Sequence, residues 1–345
     1  MKKILLTLAC VFGMNIAASA EQGAVVMLEH NGKITTFEAD QINDAMEAAA
    51  DGDVLFLTEG TFPMFNVTKK VTIKGTGERT KINGDVNIAI PDTPILSDNL
   101  LEFLYIKDKV TVTLPLKGMR IKQCWIGQVD FTANTYDSYI DRCKIYNLLM
   151  EKTYKETIVV NGESQTITSA YVKGLTVTNT IIEHIANGIN QYTRTLSYAP
   201  VNQNTSFINC LLENLGYCGG TVINSIINGS RCIDLSLSSG VALANVTATK
   251  FVNTYYVNEI QGSNFIGEGN FNEFTNCYAT NETLDYETAD LTALGYKGND
   301  GTIIGPMGGN TPFTLVPTVP RVTEASMKVD PKKQELNATL TVSPK

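Results

Sequence analysis

Ile121-Lys-Gln-Cys-Trp-Ile126, Ile140-Asp-Arg-Cys-Lys-Ile145 and Val177-Thr-Asn-Thr-Ile-Ile182 share one form, and that form decides the fold. It returns as Phe207-Ile-Asn-Cys-Leu-Leu212, Val222-Ile-Asn-Ser-Ile-Ile227 and Phe274-Thr-Asn-Cys-Tyr-Ala279. The order is apolar, any residue, polar and often Asn, small, apolar, apolar. Several spacings, such as Cys124 to Cys143, Ser225 to Val246 and Val246 to Phe265, cluster near about twenty residues, a period that with short strands predicts a solenoid. One such unit cannot bury its own apolar face, whereas stacked units bury a continuous core. The Leu consensus of leucine-rich repeats is absent, so the expectation is an all-β parallel β-helix with Val, Ile, Leu and Phe inward. Asn suits the bends because it tolerates left-handed backbone angles. Stacked Asn side chains can also bond along the axis.

Composition agrees. The chain has 345 residues, 43% hydrophobic and only 18% charged, with 30 Asn and 40 Thr. That is too apolar for a disordered body and too poor in charge for a long-helix protein. The formal net charge of −8, with no basic stripe, argues against nucleic acid as a partner.

Working back from the repeat, Ala24 to Leu28 and Lys33 to Phe37 read as strands around an Asn31-Gly32 hairpin turn. A helix from about Asp40 to Ala50 places Ile42, Ala45, Met46 and Ala49 on one face, with Asp40 as its cap and Gly52 past its end. It is suited to cap an open end that would otherwise invite edge pairing. Val54 to Leu57 and Val71 to Ile73 are further strands, with Gly60 as a turn. The first twenty residues read as an export signal: Lys2-Lys3, an apolar run from Ile4 to Met14, then Ala18-Ser19-Ala20 before Glu21. A lipoprotein signal with lipidated Cys10 is the competing reading. No later stretch is long and apolar enough to span a membrane. Cleavage at Glu21 leaves six cysteines. Six cysteines in an exported chain can form three disulfides, but Cys124, Cys143, Cys210 and Cys277 hold the small position of the repeat and read as buried free thiols, which leaves Cys218 and Cys232 as the pair if any pair forms.

The run from Ile42 through Asp51-Gly52-Asp53-Val54-Leu55 and Gly60-Thr61-Phe62 to Val67-Thr-Lys-Lys-Val-Thr-Ile-Lys-Gly75 resembles the opening of the pectin-lyase-like superfamily. The resemblance implies a right-handed parallel β-helix and an activity on polysaccharide. The tail, with Gly298-Asn-Asp-Gly301, Ile304-Gly305 and Gly308-Gly309, looks like the closing segment of exported β-helix proteins of uncharacterised function in gut-type anaerobic bacteria. The expected organisation is a signal peptide at 1–20, the β-helix with its capping helix at 21–316 and a short C-terminal β appendage at 317–345. Residues about 147–172, around Asn161-Gly162, read as a hairpin inserted between coils, and 193–205 as a loop.

Each relative implies its own chemistry. Of the polygalacturonase motifs only Arg120-Ile121-Lys122 is present, without the acid pair of glycoside hydrolysis. Gly127-Gln-Val-Asp130-Phe131 is similar to the methylesterase aspartate motif, with Asp108 about one turn earlier as second carboxylate. Its bland reading is a turn aspartate. Pectate lyases imply calcium, which needs converging oxygens; the acidic residues here are scattered, so no metal site is assigned and calcium has no motif. Lys173, Arg194, Arg231 and Lys250 are candidate bases, or solvated side chains. His184, with Tyr192 and Arg194, could hold a uronic acid sugar, or be a satisfied surface histidine. Tyr192, Tyr198, Tyr217, Tyr255 and Tyr256 are candidate sugar platforms or stacking aromatics. The catalytic candidates are therefore Arg231, Arg194 and Asp130, and the binding candidates Tyr192, Tyr217 and His184. The expectation is a protein exported to the periplasm, cell surface or medium that recognises or processes polysaccharide without a standard pectinase site. A lyase or esterase on acidic glycans, and a surface adhesin, are the alternatives.

Overall fold

The structure, a computed structural model, describes residues 24–150, 153–160, 162–186, 205–213, 220–228, 249–252, 255–257, 273–275, 278–280, 287, 291–316, 321–330 and 335–343. Among these residues the protein is mainly β, with one short α-helix and a large curled parallel sheet. At its N-terminal edge β1 (Val25–His30) pairs antiparallel with β2 (Lys33–Glu38) and with β3 (Val54–Leu57). Asn31 and Gly32, at φ 50° and 79°, form the two-residue turn that needs positive φ at both central positions. The helix α1 (Ile42–Ala48) is shorter than the sequence suggests, because Ala39–Gln41 winds as a 3-10 turn. Its face is the expected one: Ile42, Ala45, Met46 and the following Ala49 are buried in the main core.

From there the sheet is parallel. β4 (Gly60–Val67) pairs with β5 (Thr72–Ile88), which pairs with β6 (Leu101–Val112). Gly60 begins a strand instead of making a turn. After the two-residue β7 (Leu116–Lys117) the strands alternate between two ladders. One runs through β8 (Arg120–Lys122), β10 (Thr135–Asp141), β14 (Val172–Thr178), β16 (Thr205–Ile208), β18 (Gly220–Ile223), β20 (Thr249–Val252) and β22 (Glu273–Thr275). The other runs from β6 through β9 (Trp125–Phe131), β11 (Lys144–Leu149), β15 (Ile181–Ala186), β17 (Leu211–Glu213), β19 (Ile226–Asn228), β21 (Tyr255–Val257) and β23 (Tyr278–Thr280). Residues at matching places in the repeat are therefore register partners.

The corner between the ladders explains the polar and small positions. Phe103, Gln123, Arg142, Asn179, Asn209 and Asn224 all have φ between 46° and 56°, the left-handed region that Asn tolerates best. The small residue that follows points inward and receives a backbone bond from the repeat before it. Cys143 Sγ accepts from Cys124 N at 3.5 Å, Thr180 Oγ1 from Cys143 N at 3.1 Å and Ser225 Oγ from Cys210 N at 3.0 Å. Cys124, Cys143 and Cys210 are buried free thiols. Burial pushes the Cys143 thiol well above its ordinary pKa and Cys210 up to about 12. Cys10, Cys218, Cys232 and Cys277 lie outside the described residues.

Two hairpins stand outside the large sheet: β12 (Thr153–Val160) with β13 (Glu163–Ala170), and β24 (Arg321–Asp330) with β25 (Glu335–Ser343). The first is narrower than 147–172. Asn147 to Leu149 stay in β11, where Leu148 is buried in the core, and Val172 already belongs to β14.

Candidate functional site

The fifth position of the repeat faces outward and forms a column across the second ladder. It holds Tyr105, Trp125, Lys144, Ile181, Leu211 and Ile226, each in register with the next. Outward Ile and Leu require cover, and a segment near the C-terminus supplies it. Leu291 and Ile304 pack on Ile181, Leu211 and Ile226, with Tyr296 and Phe313 against the cluster. The segment 296–316 then lies as a strap along the left-handed corner, its residue numbers rising as the repeats fall. Asn224 Nδ2 donates to Asn299 Oδ1 at 2.8 Å, and Asn299 N donates back to Asn224 Oδ1 at 3.0 Å. Asn179 Nδ2 donates to the carbonyls of Pro306 and Gly308, at 3.0 and 2.7 Å. Gln123 Nε2 donates to the carbonyls of Thr314 and Val316, both at 3.0 Å. The Asn ladder expected to bond to itself thus bonds largely to the strap.

Where the apolar cover stops, the column turns aromatic and exposed. Trp125 is 36% exposed and meets Tyr105 edge to face, with ring centroids 5.1 Å apart. Lys144 Nζ lies 5.7 Å from the centre of the Trp125 ring and donates to Glu287 Oε1 at 2.7 Å. Two residues along β11, Tyr146 is 48% exposed and meets the His184 ring edge to face at 5.1 Å. Beside Tyr146, at the register position on β9, stands Gly127. A Cβ there would collide with the carbonyls of Lys107 and Asp108, so the close chain approach requires glycine. Tyr105, Trp125, Lys144, Tyr146 and His184 form one strip across four neighbouring strands, with Trp125 and Tyr146 exposed and the others half-buried.

A second arrangement lies on the first ladder, before the corner. Arg142 Nε donates to Asp141 Oδ2 at 2.8 Å, and Thr178 Oγ1 donates to Asp141 Oδ1 at 2.8 Å. With its proton committed to Asp141, Thr178 Oγ1 accepts from the Tyr139 hydroxyl at 2.7 Å. Burial, aided by the negative Asp141, raises the Tyr139 pKa and keeps it a donor. Every bond points toward Asp141. The carboxylate accepts from both Arg142 and Thr178 and holds Arg142 at a corner position where the repeats at Gln123, Asn179, Asn209 and Asn224 carry Asn or Gln.

Of the sequence candidates, His184 enters the aromatic strip. Asp130 is buried in β9 and its register partner on β6 is Thr111, not Asp108, which lies exposed in a register shift between Ile106 and Lys109. The two carboxylates imagined for an esterase are not register neighbours. Arg194, Arg231, Tyr192, Tyr198 and Tyr217 lie outside the described residues. Arg120 and Lys122 are on the outer side of β8, in register with Tyr139 and Asp141. Among the described residues no group of three His, Cys, Asp or Glu side chains is placed to hold a metal ion. Nor is any described helix long and apolar enough to cross a membrane.

Trp125, Tyr105, Lys144, Tyr146 and Glu287 were not candidates from sequence. A signal existed for two of them: aligned on the repeat, Trp125 and Lys144 both occupy the outward fifth position, where the next three repeats carry Ile181, Leu211 and Ile226. No protein-family model, curated protein or solved structure matches this chain.

Proposed function

We propose that this chain is an exported right-handed parallel β-helix that recognises polysaccharide, with Trp125 at the centre of its sugar platform. The β-helix reading is supported by the two ladders, whose strands pair in parallel with the equivalent strand of the next repeat. The right hand follows from the strong preference of parallel crossover connections. The observation that carries the function is the strip of exposed Trp125 and Tyr146 with half-buried Tyr105 and His184 against them. A sugar ring has an apolar face and polar edges. Aromatic side chains that are apolar in body and polar at the tip match both. The strip is held on strands with little backbone freedom, so little ordering entropy is lost on binding. The platform is the support for recognition; in register Asp130 lies between Thr111 on β6 and Leu149 on β11, and Asp141 accepts from Arg142 and Thr178.

The chain has one tryptophan, so its fluorescence reports on this platform alone. Purified protein is titrated with a panel of neutral and acidic oligosaccharides and polysaccharides, with tryptophan emission and binding heat followed together. Expected is a saturable emission change with one glycan class, and roughly tenfold weaker binding heat for Tyr105→Ala. A broad panel that moves neither signal would overturn the reading. Release of new reducing ends or unsaturated uronates would move it to an enzyme.

A further inference from the structure

We infer that the Trp125 platform selects uncharged sugars and that Glu287 sets this selectivity, an inference that rests on the glycan reading above. Lys144 is the cation over the indole, 5.7 Å from its centre. A cation so placed is what a sugar carboxylate or sulfate stacked on that ring would seek. Here it is already taken. Glu287, brought from 143 positions along the chain, accepts from Lys144 Nζ at 2.7 Å. The pair is also turned against anions: the lysine side chain is 20% exposed and the glutamate 43%. An acidic sugar reaching the ring meets the carboxylate first and a neutralised ammonium behind it. It must displace Glu287 or accept like-charge repulsion across a few ångströms. An uncharged sugar meets neither obstacle. It stacks on the indole and finds hydroxyl and imidazole groups at Tyr146 and His184. A half-exposed ion pair adds little to stability, so holding the fold together is a poor account of this contact.

The test uses one glycan backbone in two forms, an uncharged oligosaccharide and the same oligosaccharide oxidised to uronates, each titrated against the full chain by Trp125 emission. The wild type should bind the uncharged form at least about fivefold more tightly, and Glu287→Gln should bring the ratio to about one or reverse it. A second arm needs no glycan. Iodide and acrylamide, one anionic and one neutral, both quench exposed indole. Glu287→Gln should raise iodide quenching about two- to threefold relative to acrylamide, and added salt should erase the gain. Loss of packing alone would raise both quenchers together. Lys33→Gln removes an exposed charge on the N-terminal hairpin and should leave the quenching ratio unchanged. Tighter wild-type binding of the uronate form would overturn the inference and leave the glycan reading standing. Unchanged ratios in Glu287→Gln would do the same. If neither form binds on any backbone tried, both fall together.

Discussion

Replacing Asn179 separates the two roles that the corner residues play. Its side chain is buried and donates two bonds to the strap, at 3.0 and 2.7 Å, while its own backbone sits at φ 46°. Asn179→Gly removes both bonds without straining the backbone. Each bond contributes about 1 kcal/mol net, and the carbonyls of Pro306 and Gly308 lose donors, so the loss is about 2 kcal/mol. Asn179→Ala removes the same bonds and adds the left-handed penalty of a Cβ, about 1 kcal/mol more. The expected order is wild type, then Gly, then Ala, with about 3 kcal/mol between the ends. Urea unfolding followed by Trp125 emission gives the free energies. Limited proteolysis within 296–316 reports separately whether the strap has lifted, which guards against treating a repeat array as two-state. If Ala matches wild type within about 0.5 kcal/mol, the strap is not held by this side chain. If Gly is as damaging as Ala, the backbone argument is wrong.

Three further expectations can be checked on the same preparation. Arg142→Ala leaves the Asp141 carboxylate buried without its cation and should lower urea stability by about 3 kcal/mol; Arg142→Asn, which suits the corner, should recover about 1 kcal/mol of that without restoring the ion pair. Gly127→Ala drives a Cβ into the Lys107 and Asp108 carbonyls and should cost about 3 kcal/mol or prevent folding, measurable by circular dichroism and expression of soluble protein. The thiols make the fold alkali-sensitive. Their folded pKa values are raised, so the unfolded chain ionises first, and stability present below pH 9.0 is lost as pH rises above it, for Cys210 until about 12. The slope is about 1.4 kcal/mol per pH unit for each of Cys143 and Cys210, read from unfolding at stepped pH; Cys210→Ala should lower it by one share.

Much of the β architecture was legible because local rules repeat. The alternation around Ile121–Ile126 and Ile140–Ile145 places apolar residues on one side, and register then follows from spacing. The helical face of Ile42, Ala45 and Met46 was readable for the same reason, as was the Asn31-Gly32 turn. Even the small position was visible, although its purpose was not: Cys143, Thr180 and Ser225 accept backbone bonds from the repeat before them. The strap was not legible. Its residues have no period, and its partners Asn224, Asn179 and Gln123 stand 75 to 193 positions away.

The candidate site divides in the same way. Sequence by itself determined that the chain is β-rich, that its core is built from a repeated six-residue form, and which residue types hold its bends. It also determined that one tryptophan and one lysine share an outward position in consecutive repeats. Whether an outward residue is covered or open depends on what arrives from elsewhere in the chain, and that was decided only by tertiary structure. Leu291 and Ile304 bury Ile181, Leu211 and Ile226, while Trp125 is left beyond the end of that cover and Glu287 closes on Lys144. Local pattern sets which side of a strand a residue faces. Long-range docking sets whether that side meets protein or water, and no window of neighbouring residues contains that information.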